Sequence, residues 1–152
     1  MGIDTVSQKL DLPPGYREIP LREYRDAFNH AQSLAREEGA GTLVWVRRPD
    51  TIEAAVVLEP DQPLAAARCA LYAGMNAFAD ALGQFCPPER PIEFNWPDTI
   101  LLDGGIIGGC RLAWPPGIAE TDVPDWLVLA LYARGSVQMP ASETFGDRKS
   151  VV

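Results

Sequence analysis

The residues best suited to chemistry in this sequence are arginines and glycines in short segments next to apolar runs. Arg47 and Arg48 follow one such run, and Arg111 lies two residues beyond Gly109. A guanidinium group binds carboxylate or phosphate oxygens through paired hydrogen bonds, and glycine lets a ligand approach a strand backbone closely. These segments therefore indicate a site for a small anion. The competing interpretation is that the arginines are solvated or form surface ion pairs.

The segment from Asn95 to Asp98 supplies an amide, an indole and a carboxylate within four positions. Trp96 alternates with Ile92 and Phe94, so a strand here is expected to bury all three and to point Asn95 to the opposite face. Asn95 then either lines a pocket or lies on an exposed sheet face. Trp96 either stacks on a ligand ring or, as the alternation favours, belongs to the core.

The sequence disfavours two other kinds of site. The run from Gly104 to Gly109 is rich in glycine, but a phosphate loop leads from a strand into a helix and carries a lysine, whereas this run lies in a predicted hairpin. The cysteines, Cys69, Cys86 and Cys110, have no Cys-x-x-Cys spacing, and the chain has one histidine. We therefore expect no metal site, and we expect the three thiols to be free and buried.

Hydrophobic periodicity predicts two helices. Apolar residues at helical spacing begin at Leu21 and end before Gly39, and this is the first helix. A second stripe, from about Asp61 to Phe85, predicts a long central helix that stops before two prolines. The arginine pair follows the first helix, and the Asn95 segment follows the second.

Runs of β-branched and alternating residues predict strands over residues 42–46, 54–58, 92–96, 99–102, 106–113 and 126–133. Asp103-Gly104-Gly105 predicts a tight hairpin, because Asp-Gly tolerates the positive φ of such turns. The order of elements predicts an α+β domain with a mixed or antiparallel sheet and helices packed on one side.

Length and composition indicate one domain of 152 residues with 47% apolar content. We expect an extended lead-in over residues 1–19, the domain over residues 20–135 and a loose tail over residues 136–152. No apolar run approaches the ~18 residues of a membrane span, and no signal sequence opens the chain, so we expect a cytoplasmic protein without a membrane partner. The formal net charge of −8 argues against nucleic-acid binding, which depends on Lys and Arg.

The segment from Asn95 to Gly109 resembles the Lys-Trp-Pro-Asn-Asp signature of the biotin protein ligases and the hairpin that follows it. Residues 31–41, AQSLAREEGAG, resemble the end of the first helix of those enzymes, and the predicted element order matches their catalytic domain over residues 20–135. The chain is most similar to a bacterial subfamily described only as biotin/lipoate ligase-like. The resemblance implies a fold akin to the class II aminoacyl-tRNA synthetases.

The resemblance also implies a reaction, in which Mg-ATP activates a carboxylic acid to an acyl-adenylate that then acylates a lysine of a carrier domain. ATP with Mg²⁺, biotin or lipoate, and a biotinyl or lipoyl carrier domain are thus implied only if ligase activity is retained. The ligand-binding candidates are Arg47, Arg48, Asn95, Trp96, Pro97, Asp98, Gly108, Gly109 and Arg111.

The sequence departs from the family where charge must be neutralised. Asn95 occupies the position of the signature lysine, and an amide cannot neutralise an anion as an ammonium group does. Residues 47–51 stand where the ligases have an Arg/Gly-rich loop, and they contain no glycine. Asp26-Ala27-Phe28 stands where the family has Ser-Thr-Asn, and Asp98-Thr99 where it has Asn-Asp.

The chain contains two lysines, Lys9 and Lys149, both in segments expected to be loose. Loss of one preorganised electrostatic contact lowers a catalytic rate by about 10²- to 10³-fold. Ordinary ligase turnover is therefore not expected, and no residue is assigned as catalytic.

Three hypotheses follow. The preferred one is a ligase-like binding module that keeps a pocket for a small carboxylic acid or its adenylate without turnover. The second is an active ligase or acyltransferase of altered specificity, with Arg47, Arg48 or Arg111 supplying charge. The third is a non-enzymatic interaction protein whose exposed sheet edge or Trp114-Pro115-Pro116-Gly117 loop binds a partner, or a second copy to form a homodimer.

Overall fold

The computed structural model describes residues 9–22 and 25–134, and a seven-stranded sheet organises them. The strands are β1 (Arg17–Leu21), β2 (Thr42–Val46), β3 (Thr51–Leu58), β4 (Ile92–Asn95), β5 (Thr99–Leu102), β6 (Gly105–Ala113) and β7 (Leu127–Arg134). The helices are α1 (Ala27–Glu38), α2 (Leu64–Ala67) and α3 (Ala70–Gly83). None of the helices in these ranges has the length and apolarity of a membrane span.

The sheet has the strand order β1-β2-β3-β7-β6-β5-β4. β1 pairs with β2 in parallel, and every other neighbouring pair is antiparallel. The predicted α+β class and the mixed sheet are therefore confirmed. β7, which comes last in the described chain, lies in the middle of the sheet between β3 and β6.

Alternate residues of β7 belong to two different cores. Val128 and Ala130 pack with the buried alanines of α1, whereas Leu129 and Ala133 pack with Met75 of α3. Because successive side chains of a strand point to opposite faces, the two helices cover opposite faces of the sheet, which we call the α1 face and the α3 face. The expectation that the helices lie on one side is wrong, because the unbroken apolar run of β7 is that of a strand buried on both faces.

The first helix begins at Ala27 and not at Leu21. Residues 17–21 form the edge strand β1, and Leu21 contributes with Ile19 to the core beneath α1. An apolar residue at position 21 is consistent with the periodicity of a helix and with that of a strand, so periodicity alone could not place the start of the helix. Asp26 caps α1 by accepting a hydrogen bond from the Asn29 backbone N–H at 3.2 Å. The lead-in expected over residues 1–19 therefore ends in a strand, while residues 1–8 and the tail expected over 136–152 lie outside the described residues.

The predicted central helix is divided into the short α2 and the longer α3. The predicted stripe is confirmed along α3, where Met75, Phe78 and Leu82 are buried. Phe85 lies beyond the end of α3 and is 76% exposed, so its assignment to the core is wrong.

The predicted hairpin between β5 and β6 is confirmed. Asp103 and Gly104 form its turn with φ of 53° and 82°, the positive values that a two-residue hairpin turn requires at both central positions. This turn sets β5 against β6 and so brings Thr99 opposite Gly109.

Candidate functional site

A row of directly opposed residues crosses the α1 face from β4 to β3. In sheet order they are Asn95, Thr99, Gly109, Tyr132 and Glu53. Opposed residues of neighbouring strands project to the same face, and Ala55, two residues beyond Glu53 on β3, packs against α1. The row therefore lies on the α1 face, at the end of the sheet where α1 begins.

A cleft of about 400 Å³ opens above this row beside the start of α1, and we call it the α1 cleft. Phe28, Ala130, Leu131 and the ring of Tyr132 supply its apolar lining. Its polar lining consists of Asp26, Glu53, Asp98, Thr99 and Arg111. Small-molecule sites are typically concave, mostly apolar and about 300–1,000 Å³ in volume. The α1 cleft lies within this range of volumes, and it gathers Asp98, Gly109 and Arg111, three of the residues predicted to bind a ligand. We therefore take it as the candidate functional site.

Carboxylates outnumber guanidinium groups in the α1 cleft. Asp26, Glu53 and Asp98 line it together with a single arginine, Arg111. Arg48, which does not line the cleft, neutralises Glu53 through an Nη1–Oε1 contact of 2.8 Å. Even with Arg48 counted, three carboxylates face two guanidinium groups among residues 9–22 and 25–134, so this described lining lacks the positive charge that polyphosphate binding requires.

Glu53 ties the start of α1 to the sheet. Its Oε2 accepts a hydrogen bond from the Ala27 backbone N–H at 3.1 Å, while Oε1 accepts from Arg48. Arg48 also donates through Nη2 to the Arg25 carbonyl at 3.2 Å. The positive end of the α1 dipole is thus matched by a carboxylate of the protein itself. Arg48 is positioned here as a support for α1 and for one wall of the cleft.

The structure brings only part of the predicted site together. Asp98, Gly109 and Arg111 line the α1 cleft, and Asp98 and Arg111 are joined by Pro97 in a neighbouring pocket of about 550 Å³. Asn95 lies in the cross-strand row, although it does not line the cleft, and Arg47 lies elsewhere. The ligand-binding role of all these residues stays a prediction.

Trp96 lies just beyond the end of β4 and is 51% exposed. The expectation that it belongs to the core is wrong, because β4 and its alternation of side chains end at Asn95. Its ring centroid lies 4.8 Å from that of Phe94 and 5.6 Å from that of Tyr72. Trp96 and Tyr72 thus form an exposed aromatic pair over the edge of the sheet.

Gly108 and Gly109 are required by the neighbouring backbone. A Cβ atom at Gly109 would lie 2.0 Å from the Asp98 carbonyl oxygen, and one at Gly108 would lie 2.0 Å from the Tyr132 carbonyl oxygen. Both distances are far shorter than a van der Waals contact. The packing of strands therefore accounts for both glycines without a ligand.

Two polar residues of the cleft, Glu53 and Tyr132, are not singled out by the sequence. Glu53 carries a detectable signal, since it is the one charged residue in the apolar strand β3. Tyr132 carries none, because an aromatic residue near the end of an apolar strand is ordinary. Among the residues that the structure describes, no group of three His, Cys, Asp or Glu side chains is placed to hold a metal ion.

The thiols of this region are expected to differ in reactivity. Cys110 is buried in the core on the α3 face, and burial raises the pKa of its thiol to about 11. Cys69 is exposed, so the expectation that all three thiols are buried is wrong for it. Because the thiolate is the reactive form and a raised pKa keeps Cys110 protonated at neutral pH, iodoacetamide should modify Cys69 first. Mass spectrometry of alkylated peptides at pH 8 tests this.

The control for this alkylation is Cys69→Ser, which should remove the fast phase alone. The rate at Cys110 should rise with pH until about pH 11, the pKa of the buried thiol. Equal rates at Cys69 and Cys110 at pH 8 would contradict the assignment of Cys110 as an inert buried thiol.

Comparisons with known proteins add to this geometry. The model of the biotin/lipoate A/B protein ligase family matches residues 12–147. Biotin acetyl-CoA-carboxylase ligase of Paracoccus denitrificans is 37% identical over 84 residues, which cover 52% of this chain and 35% of that protein. A biotin protein ligase-like protein of unknown function from a Silicibacter species superposes with a TM-score of 0.76 at 30% identity, over 83% of this chain and 55% of that one.

A more distant structure shares the fold. Biotin acetyl coenzyme A carboxylase synthetase from Helicobacter pylori, solved with bound biotinylated ATP, superposes with a TM-score of 0.55 at 14% identity, over 76% of this chain and 59% of that one. The mixed sheet with a cleft beside α1 therefore defines a protein with the catalytic-domain fold of the biotin protein ligases.

The extent of the family match then settles membership. The chain belongs to the biotin/lipoate A/B protein ligase family. It spans 35% of the length of the Paracoccus relative and 55% and 59% of the two solved chains. The activities of those longer proteins therefore enter only as proposals for this one.

Proposed function

We propose that this chain is a ligase-fold binding protein that holds a small carboxylic acid in the α1 cleft without activating it as an adenylate. The observation that carries the proposal is a guanidinium group in the cleft, that of Arg111, beside carboxylates that are already engaged: Glu53 pairs with Arg48 and Asp26 caps α1. No ion pair engages Arg111 within residues 9–22 and 25–134. Arg111 can therefore donate two parallel hydrogen bonds to one carboxylate, while Phe28 and Tyr132 contact the apolar part of the ligand.

Adenylation would bring the phosphates of ATP alongside the acid, and the cleft opposes this. Asn95 stands at the position of the ligase lysine, Lys9 precedes β1, and Lys149 lies outside the described residues. An adenylate, Mg-ATP and a carrier domain belong to the hypothesis of an active ligase, which the experiment below also tests. A cytoplasmic location and a homodimer stay predictions.

Arg111→Gln is expected to weaken binding of the acid by about tenfold or more, because a hydrogen bond to a charged group contributes about 1.5–3 kcal/mol. The ligands are biotin, lipoate and octanoate, and the readout is the midpoint of thermal unfolding. A ligand at 100 times its Kd stabilises a protein by about 2.7 kcal/mol. The matched control is Arg36→Gln, since Arg36 is an exposed α1 residue paired with Asp125 at 3.6 Å.

The proposal fails if none of the three acids raises the unfolding midpoint, or if Arg111→Gln and Arg36→Gln bind equally. A parallel incubation with Mg-ATP, labelled acid and a biotinyl carrier domain should release no pyrophosphate. Release of pyrophosphate with acylation of the carrier would establish the active ligase instead.

A further inference from the structure

Arg47 and Arg48 are adjacent in the sequence but lie on opposite faces of the sheet. Arg48 pairs with a carboxylate of the α1 cleft. The guanidinium carbon of Arg47 instead lies 5.4 Å from the centroid of the Trp45 ring. Trp45 alternates with Val44 and Val46, which pack in the core under α1. Trp45 and the guanidinium group of Arg47 therefore lie on the α3 face.

Arg22 reaches the same place from β1. The parallel register places Pro20 beside Trp45 and Leu21 beside Val46. The Arg47 backbone N–H donates to the Leu21 carbonyl at 3.2 Å, which continues the pairing past the end of β2. The two strand ends thereby form a small pocket of about 250 Å³, lined by Pro20, Leu21, Arg22 and Arg47.

The charge of this pocket is the reverse of that of the α1 cleft. Among the residues that the structure describes, two arginines and no carboxylate-bearing residue line it, in a chain with a formal net charge of −8. Within residues 9–22 and 25–134, neither Arg22 nor Arg47 forms an ion pair. The carboxylate of Glu18 is nearby, but its Oε2 accepts from Trp45 Nε1 at 3.1 Å and from the Leu10 backbone N–H at 3.0 Å.

Arg47 is held by stacking and not by an ion pair. Its Nε is enclosed without a hydrogen-bond acceptor, so the guanidinium group keeps its place over Trp45 through packing and cation–π attraction. Arg47 and Arg22 line the same pocket. Two like charges in one pocket repel each other, and an oxyanion between them removes that repulsion while accepting several hydrogen bonds.

We propose that this pocket binds the phosphate group of a small phosphorylated molecule. The planar guanidinium group of arginine donates paired hydrogen bonds to phosphate oxygens. Two such groups from adjacent strand ends can bind one phosphate from two sides. The volume is below the ~300 Å³ at which ordinary small-molecule sites begin, so the pocket suits a phosphate with a short substituent better than a nucleotide. The site lies across the sheet from the α1 cleft and is independent of its function.

The test is a titration of the full chain with inorganic phosphate at constant ionic strength, followed by ¹H–¹⁵N spectra that include the arginine Nε–H signals. Phosphate should shift signals of residues 20–22 and 45–47 in a saturable way. Arg47→Gln and Arg22→Gln should each raise the Kd by about tenfold, which corresponds to about 1.4 kcal/mol. Arg36→Gln, which removes an exposed arginine elsewhere, should leave the Kd unchanged.

Further measurements distinguish phosphate from carboxylate ligands and include a conservative variant of Arg47. Glycerol phosphate should compete with phosphate, and acetate at equal ionic strength should not. Arg47→Lys keeps the positive charge but loses the bidentate hydrogen-bonding geometry of the guanidinium group. Its affinity for phosphate should therefore fall between those of the wild type and Arg47→Gln. The proposal is overturned if the shifts are spread over the surface, if Arg36→Gln weakens binding as much as Arg47→Gln, or if acetate binds as tightly as phosphate.

Discussion

Gly108→Ala is expected to lower the free energy of unfolding by about 3 kcal/mol, the upper part of the range for forcing extra volume into packed structure. The new Cβ would lie 2.0 Å from the Tyr132 carbonyl oxygen and 2.9 Å from the Ala133 Cα. Both atoms belong to the backbone of β7, which cannot move away without disturbing its pairing with β3 and β6. Urea denaturation followed by circular dichroism measures the change.

Gly105→Ala is the matched control, since Gly105 lies on the same strand as Gly108. A Cβ there would meet nothing closer than the Leu102 carbonyl oxygen at 3.6 Å, an ordinary contact. Its effect should remain below about 1 kcal/mol, as for substitutions away from packed features. Equal denaturation midpoints for the two variants would show that the close approach of β6 and β7 is wrong.

Glu53→Ala is expected to destabilise the protein by about 2–3 kcal/mol. The substitution removes the carboxylate that accepts a hydrogen bond from the Ala27 backbone N–H and pairs with Arg48. Breaking a fully buried ion pair costs about 3–5 kcal/mol, and the smaller value follows because these side chains are 27% and 21% exposed. The free energy of unfolding in urea measures the effect.

Glu53→Gln separates the contribution of the negative charge of Glu53 to stability from that of its hydrogen bonds. The amide oxygen keeps an acceptor for one of the two donors, so the loss should be about 1 kcal/mol. In the double variant with Arg48→Gln, the two losses should not add, because the residues are in contact. A Glu53→Ala variant within about 0.5 kcal/mol of the wild type would show that Glu53 does not support α1.

Local signals in the sequence predict those parts of the fold that local physics determines. The Asp103-Gly104 turn follows from backbone sterics, and the stripe of α3 follows from helical period. β1 was missed because a short parallel strand is stabilised only by β2, whose pairing is separated from it by the whole of α1. The unbroken apolar run of β7 indicates a strand that is buried on both faces of the sheet. That interpretation of the run would have predicted helices on both faces.

For the α1 cleft, the types of residue that line it could be predicted from the sequence better than their positions in space. Arg111, Asp98 and Gly109 could be singled out by residue type and do share a cleft. Arg47 and Arg48 could not be told apart, because the side to which each arginine turns depends on the path of the chain after β2. Glu53 is conspicuous as a charged residue in an apolar strand, but its role cannot be predicted from the sequence, because its partners Ala27 and Arg48 come from two other segments.

The central position of β7 bears on how the chain is assembled during synthesis. β1, β2 and β3 can form one small sheet as they leave the ribosome, and β4, β5 and β6 can form another. Each half then exposes a bare edge, on β3 and on β6, until residues 127–134 arrive to bridge them. Pairing between strands that are far apart in the sequence slows folding. Until β7 pairs with them, the unpaired edges of β3 and β6 are prone to aggregation. A nascent chain stalled before Leu127 would therefore be a natural client for chaperones.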